Sequence, residues 1–231
     1  MSTGTWAARR GQIETYFDRT AAEAWKRLTS DAPVSGIRAT VRAGRDAMRS
    51  NLLSWLPADM TGLRLLDAGC GTGALAVEAA SRGAEVVAID VSRSLVEVAR
   101  DRAGPAAARI RFEVGDMLDP AFGAFDHVVA MDSLIHYRAA DVVKALAGLA
   151  GRTRRSVIFT FAPRTPLLAA MHVVGRAFPR GDRAPAIEPV AEAALRRLIA
   201  QEAGLSGFAV GHTKRVASGF YTSQGMELAA R

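Results

Sequence analysis

The feature that most constrains the fold is a regular alternation of apolar runs and helical patterns that begins at residue 63. Five runs have the length and apolar content of buried strands, and segments with helical spacing lie between them. Such alternation predicts right-handed βαβ crossovers and a mostly parallel sheet with helices on both faces. The five runs cover residues 63–68, 85–90, 110–114, 125–131 and 156–161.

Helices and a hairpin are predicted on the two sides of this alternation. In the N-terminal region, residues such as Tyr16 and Trp25 recur at helical spacing, and Asp31-Ala-Pro33 divides the region into two helices. Near the C-terminus, the runs 207–212 and 216–221 are close enough to pair as an antiparallel hairpin. The predicted fold class is therefore α/β, a doubly wound, mostly parallel sheet with an antiparallel last hairpin and an N-terminal helical arm.

The pattern also divides the chain, whose 231 residues suit one large domain. We expect a helical arm or lid over residues 1–58 and a sheet domain over residues 59–231. Within the sheet domain, an apolar insert over residues 163–187 follows the fifth strand and is flanked by Arg164 and Arg176. An insert at this place is expected to cover a bound substrate.

Composition and charge exclude several classes of protein. The single cysteine, Cys70, rules out an internal disulfide and a multi-thiolate zinc site, so no metal is expected. The net charge is +7, but no run of five like charges occurs and aromatic residues make up 6% of the chain, so nucleic acid is not an expected partner. Neither a membrane-spanning stretch nor a signal-peptide pattern is present, which predicts a cytoplasmic location.

A glycine-rich loop follows the first predicted strand, in the segment Leu65-Leu-Asp-Ala-Gly-Cys-Gly-Thr-Gly73. Ligands of doubly wound sheets bind beyond the carboxyl ends of the strands, where the strand order reverses. Glycine at positions 69 and 71 lets the backbone turn sharply and approach a ligand closely. The spacing Gly69-x-Gly71-x-x-Ala74 also fits a dinucleotide fingerprint, so an NAD-linked oxidoreductase stays an alternative.

Acidic residues at three successive strand ends favour a different ligand. Asp67 would repel a pyrophosphate but attract the ammonium group of an amino acid, and Asp90 is placed to accept hydrogen bonds from ribose hydroxyls. Asp116 can accept from an adenine amino group, while Met117 packs on the ring. Together these groups suit an amino acid joined to a nucleoside better than a dinucleotide.

The glycine loop and its acidic partners resemble the motifs of class I S-adenosylmethionine (SAM)-dependent methyltransferases over residues 63–161. The resemblance implies SAM as the co-substrate. It leaves open an enzyme for another small-molecule carboxylate or hydroxyl, and a SAM-binding module without activity. The expected cofactor-binding residues are Asp67, Gly69, Cys70, Gly71, Asp90, Val91, Asp116, Met117, Met131 and Asp132.

A closer resemblance extends to nearly the whole chain. Tyr16-Phe-Asp18, Ile37-Arg-Ala-Thr-Val-Arg-Ala-Gly44 and above all Asp132-Ser-Leu-Ile-His-Tyr137 look like segments of the magnesium-protoporphyrin IX O-methyltransferase family. The chain departs from that family at Thr29-Ser30, where Tyr-Gly is common, and at Arg45, where His is common. Further matching segments are Trp25-Lys-Arg27, Phe161-Ala-Pro163, Phe178-Pro179, Arg183-Ala184 and Phe220-Tyr-x-Ser223.

The family resemblance implies esterification of one porphyrin propionate, a step of chlorophyll or bacteriochlorophyll synthesis, with magnesium protoporphyrin IX as the substrate. It also implies a contact with a magnesium chelatase subunit. Candidate catalytic residues are His136, just beyond the fourth strand, and Tyr16 or Thr29 in place of the family tyrosine. His127, inside the fourth strand, is expected to belong to the core. The insert over 163–187 either covers the porphyrin, touches a membrane surface at the inner membrane, or packs on the sheet.

Overall fold

A computed structural model of the chain describes residues 3–18, 22–30, 33, 36–164 and 186–231. Most of the insert predicted over residues 163–187 lies outside the described residues, so its place in the structure stays a prediction.

The described residues form a seven-stranded sheet in the order β3-β2-β1-β4-β5-β7-β6. Strands β1 to β5 are parallel, whereas β7 pairs antiparallel with both β5 and β6. The order reverses between β1 and β4, which confirms the predicted doubly wound fold. The strands are β1 (Arg64–Ala68), β2 (Glu85–Asp90), β3 (Ile110–Val114), β4 (Phe125–Ala130), β5 (Thr153–Phe161), β6 (Phe208–Ser218) and β7 (Tyr221–Ala230).

Seven α-helices lie within the described residues, three of them in the arm. The first predicted arm helix corresponds to α1 and α2, and residues 19–21, between these two helices, lie outside the described residues. Asp18, just after α1, accepts hydrogen bonds from Ser92 and Ser94 at the start of α5, so the chain is held against the sheet domain between them. The helices are α1 (Thr3–Tyr16), α2 (Ala22–Leu28), α3 (Gly36–Leu53), α4 (Ala74–Ser81), α5 (Arg93–Arg102), α6 (Ala139–Ala150) and α7 (Glu192–Gln201).

Two hydrophobic cores cover the two faces of the sheet, because neighbouring strand residues point to opposite faces. Leu65 of β1 belongs to the core under α3 and α4, and the next residue, Leu66, belongs to the core under α6 and α7. Both side chains are fully buried. Strands covered on both faces explain the continuous apolar runs of the sequence.

The predicted C-terminal hairpin was correct in kind and wrong in position. The runs 207–212 and 216–221 do not pair with each other, since residues 208–212 and 216–218 lie on the same strand, β6, which pairs with β7. The turn is Gly219-Phe220, where Gly219 has φ 55°, a conformation that glycine adopts readily. The error arose because the polar, exposed residues 212–215 of an edge strand have the composition of a turn.

Candidate cofactor and active site

Two cavities lie at the carboxyl ends of β1 and β4, where the strand order reverses. The larger has a volume of about 230 Å³, and the smaller, of about 60 Å³, lies toward β2 and β3. Gly69 and Asp132 line both cavities, so these residues mark the place where the two cavities meet. This position is the one that the strand order predicts for a ligand.

The glycine loop separates the cavities by means of a tight backbone bend at Gly69. This residue has φ 86°, and its N–H donates to the Ile89 carbonyl oxygen at 2.8 Å. A Cβ at position 69 would lie 2.3 Å from the Cβ of Ser133, and the Ser133 hydroxyl donates to the Ala68 carbonyl oxygen at 2.7 Å. The loop and the segment after β4 are therefore in direct contact. A residue larger than glycine at position 69 would leave no room for this contact.

Asp67 is the buried acidic group of the larger cavity. The residue is 2% exposed, and its Oδ2 accepts no hydrogen bond from the described part of the chain. Burial, together with the negative charge of Asp90, raises the pKa of Asp67 to about 7. A buried carboxylate oxygen without a donor suits a cationic amino group, which would supply both the hydrogen bond and the opposite charge.

Asp90 lies at the end of β2 and lines the smaller cavity with Val91 and Met117. Its Oδ2 accepts from the Gly71 N–H at 2.9 Å, and its Oδ1 accepts from the Ser92 N–H, also at 2.9 Å. Each oxygen can accept a further hydrogen bond, because a carboxylate offers about four acceptor positions. The predicted bonds to ribose hydroxyls are compatible with this geometry.

Asp116 is held by the arm. Its Oδ2 accepts from Trp6 Nε1 at 3.1 Å and from Arg10 Nη1 at 2.7 Å, while Oδ1 accepts from the Leu118 N–H. The sequence indicated an adenine contact for Asp116 and gave no sign of these arm partners. Its neighbour Met117 does line the smaller cavity.

Helix α1 covers the smaller cavity. Ile13 of α1 and Phe17, just after this helix, form part of the cavity wall. The Trp6 ring stacks on the Tyr137 ring at a centroid distance of 4.1 Å. Burial would raise the pKa of Asp18, but the hydrogen bonds from Ser92 and Ser94 outweigh it and lower that pKa, so Asp18 stays an anionic acceptor. The arm is thus part of the site.

The three candidate catalytic residues lie in different places. His136 is buried and lines the smaller cavity, next to Tyr137. Thr29 lines the larger cavity, but its hydroxyl donates to the Trp25 carbonyl oxygen at 2.8 Å and accepts from Arg102 at 3.1 Å. Tyr16 packs edge-on against Phe17 and lines neither of these two cavities. Of the three, His136 is the one buried in the cavity wall.

His127 is a core residue, as the sequence predicted. It is 5% exposed, and its Nδ1 lies 2.8 Å from the Ser156 hydroxyl on the neighbouring strand β5. Burial lowers the pKa of His127, which favours the neutral form of the ring.

Cys70 forms part of the wall of the larger cavity. Burial, together with the charges of Asp90 and Asp67, raises the pKa of its thiol well above the usual range, and a thiol is a weak nucleophile compared with a thiolate. We expect that a thiol reagent at pH 8 modifies Cys70 at least tenfold more slowly in the native protein than in the protein unfolded in guanidinium chloride. Equal rates would contradict this account of Cys70.

Asp132 follows Met131, which lines the larger cavity. The Asp132 carboxylate accepts hydrogen bonds from several side chains. Asp132 is the one non-glycine residue with positive φ among those described, at 54°. Its Oδ2 accepts from Arg45 Nη1 at 2.6 Å, and its carboxylate also accepts from the Tyr221 hydroxyl and from Ser223. Sequence reasoning missed these contacts of Arg45 and Tyr221, although Tyr221 lies in a segment that resembles the family and Arg45 directly follows another.

Comparisons with known proteins point to one family. The sequence model of the family described as magnesium-protoporphyrin IX methyltransferase C-terminus matches residues 130–230, and that of a methyltransferase domain matches residues 65–155. The chain is 50% identical to the magnesium-protoporphyrin O-methyltransferase of Rhodobacter capsulatus, over 96% of this chain and 97% of the relative. It is 30% identical to the Synechocystis enzyme of the same name, over 93% and 94%.

A solved structure gives the same result. The crystal structure of magnesium protoporphyrin IX methyltransferase from Synechocystis PCC 6803 with bound S-adenosylhomocysteine (SAH) has a TM-score of 0.83 and 28% identity, over 95% of this chain and 98% of that one. The sheet described above is therefore the class I methyltransferase sheet. The resemblance found in the sequence is confirmed, and the chain belongs to the magnesium-protoporphyrin O-methyltransferase family.

Proposed function

We propose that this chain transfers the methyl group of SAM to a propionate carboxylate of magnesium protoporphyrin IX, giving the monomethyl ester, as a step of chlorophyll or bacteriochlorophyll synthesis. The observation that carries the proposal is the buried Asp67 carboxylate, whose Oδ2 has no donor within the described residues, beside the bend at Gly69. Family membership supplies the identity of the acceptor.

The site residues suit the two ends of SAM, which supplies, when bound, a methyl group on a positively charged sulfur. Asp67 accepts from the ammonium group in the larger cavity, where Cys70 and Met131 form part of the wall. Asp90 accepts from the ribose in the smaller cavity, next to Met117. A pyrophosphate would face the Asp67 carboxylate, which disfavours the alternative NAD-linked oxidoreductase.

The acceptor chemistry needs no strong base from the protein. A propionate has a pKa of about 4 to 5, similar to Glu, and is ionised at neutral pH. Negative charge is lost as the ester forms, so a group that held the carboxylate equally tightly throughout would not raise the rate. The residues of the site therefore act by orienting the acceptor and excluding water, and such alignment is worth roughly 7 to 11 kcal/mol.

We assign the orientation of the acceptor to His136, which is buried in the wall of the smaller cavity, four residues after Asp132. We expect His136→Ala to lower kcat at least tenfold while the Kd for SAH changes less than fivefold, because the side chain acts on the acceptor more than on the nucleoside. Steady-state kinetics and calorimetry measure the two effects.

The control for this variant is His212→Ala. His212 lies on the exposed edge strand β6, where its ring forms a hydrogen bond with the Glu227 carboxylate and stacks on the Trp55 ring. Its loss should leave kcat within twofold of the wild type. An unchanged kcat for His136→Ala would remove His136 from the mechanism.

The proposed reaction is tested by incubating the protein with magnesium protoporphyrin IX and SAM and measuring the product by mass spectrometry. The proposal expects the monomethyl ester and one SAH for each ester formed. SAH binding without ester formation would favour the alternatives: another small-molecule carboxylate or hydroxyl as acceptor, or a SAM-binding module without activity.

Contacts with a membrane surface and with a magnesium chelatase subunit are further proposals. Among the described residues, no helix has both the length and the apolar character needed to span a bilayer. The membrane proposal is supported by the net charge of +7 and by the apolar insert over 163–187 with its arginines. Flotation with anionic liposomes at low salt would detect the contact, and absence of binding there would refute it.

A further inference from the structure

The ion pair between Arg45 and Asp132 is the most extensively supported interaction at the site. The guanidinium and the carboxylate are 2.6 Å apart, with side chains 19% and 7% exposed. Asp132 lies where the two cavities meet, and Arg45 lines the larger one. A charge in this position acts strongly on a ligand that occupies both cavities, because both side chains are largely buried and solvent screens a buried charge less than an exposed one.

Several groups fix the Asp132 carboxylate in one orientation. The Tyr221 hydroxyl donates to it at 3.1 Å, and Ser223 and Thr160 donate at 3.2 Å and 3.1 Å. Burial and the charge of Asp132 raise the pKa of Tyr221, so the phenol stays protonated and can donate. The Asp132 N–H also donates to the Thr160 hydroxyl at 2.7 Å, which holds the backbone at its positive φ.

Arg45 is itself held by the arm. Its guanidinium carbon lies 4.7 Å from the centre of the Trp25 ring, in a cation–π contact. Trp25 also lines the larger cavity, and its Nε1 is the nearest atom to the point where a Cβ at position 71 would lie. The pair therefore joins α2 and α3 of the arm to the end of β4.

We propose that Arg45 is the counter-ion of Asp132, and that this pair, oriented by Tyr221, keeps the shared wall of the two cavities electrically neutral. Asp46, which also lines the larger cavity, pairs with Arg49, so among the described residues Asp67 is then the carboxylate of this cavity that selects a cation. Arg45 and Tyr221 are positioning residues, because they act through Asp132. The inference rests on SAM as the co-substrate of this site.

The proposal gives opposite predictions for the two members of the pair. SAM carries a positive sulfur and SAH a neutral one, so the ratio Kd(SAH)/Kd(SAM) measures the charge of the wall. Arg45→Met leaves the Asp132 charge uncompensated, which favours the cation, and should raise the ratio at least fivefold. Asp132→Asn leaves Arg45, which stays protonated in proteins, and should lower the ratio at least fivefold.

Four further variants separate charge from structural damage. The double variant Arg45→Met with Asp132→Asn is neutral again and should return the ratio to within twofold of the wild type. Tyr221→Phe changes no charge and should weaken both ligands while leaving the ratio unchanged. Arg45→Lys keeps the charge and should keep the ratio, and Arg38→Met, on the exposed face of α3, is the control for loss of one arginine.

Calorimetry at pH 8.5 measures the two dissociation constants, with circular dichroism to confirm folding of each variant. Ratios that shift in the same direction in Arg45→Met and Asp132→Asn, or that do not shift, would overturn the proposal. If Arg45→Met does not fold, Asp132→Asn and Arg45→Lys still decide it. Failure of the wild type to bind either ligand would instead refute SAM as the co-substrate.

Discussion

Gly69→Ala is expected to weaken SAH binding at least a hundredfold. Position 69 has φ 86°, and an L-residue in the left-handed region costs roughly 1–2 kcal/mol. The added methyl group would also lie 2.3 Å from the Ser133 Cβ, a distance that forces the loop or the segment after β4 to move. Either movement separates Asp67 from Asp90, which we propose bind the same ligand.

The matched control for this variant is Gly62→Ala. Gly62 has a similar φ of 75°, but a Cβ there meets no atom within 4 Å. The control therefore carries the backbone strain without the collision, and its SAH affinity should stay within threefold of the wild type. Calorimetry gives both affinities, and equal losses in the two variants would mean that strain alone, and not the contact with Ser133, controls the site.

Asp67→Asn is expected to weaken SAH binding at least thirtyfold at pH 8 while raising the melting temperature of the ligand-free protein. The loss of affinity follows because a neutral amide cannot pair with the ammonium group, and a charge-assisted hydrogen bond contributes about 2 kcal/mol. The gain in stability follows because the variant no longer buries an anion. An unfolded or misfolded variant would lose both, so the opposite signs identify the cause.

The same variant should abolish a pH dependence of the wild type. The pKa of Asp67 is raised from 3.8 to about 7 by burial and by the charge of Asp90. Because the folded-state pKa lies above the unfolded value, the contribution to stability is present below pH 4 and is lost as the pH rises through 7. SAH affinity should change in the opposite sense, rising with pH through about 7, since the ligand binds the ionised form.

Calorimetry in buffers of different ionisation enthalpy tests this linkage directly. The wild type should release a proton on binding SAH at pH 6.5, and Asp67→Asn should release markedly less. Asp101→Asn, an exposed carboxylate on α5, is the control and should behave as the wild type. A wild-type affinity that does not change between pH 6 and pH 8 would contradict the assignment of Asp67.

The sequence predicted the features of this site that depend on neighbouring residues. The strand β1, the bend at Gly69 and the position of Asp67 all lie within one short segment, where the apolar run and the glycines determine the backbone. Asp90 was predictable as well, because parallel strands place their carboxyl ends at one edge of the sheet. For the same reason the cavities lie where the strand order indicated.

The contacts made by the arm could not be predicted in this way. Arg45 and Asp132 are 87 residues apart, and Arg10 and Asp116 are 106 residues apart. No spacing rule connects such pairs, since their meeting depends on how α1 and α3 pack against the sheet. The extent of β6 was missed for a different reason, because its exposed polar residues lack the alternation that marks a half-buried strand.

We propose that Asp67 and Asp90 bind the two ends of one nucleoside amino acid across the bend at Gly69. The most direct test is a crystal structure of this protein with SAH. We expect the amino group to lie within hydrogen-bonding distance of Asp67 Oδ2 and the ribose hydroxyls to contact Asp90. A ligand whose amino group lies away from Asp67, or a ribose that does not contact Asp90, would contradict it.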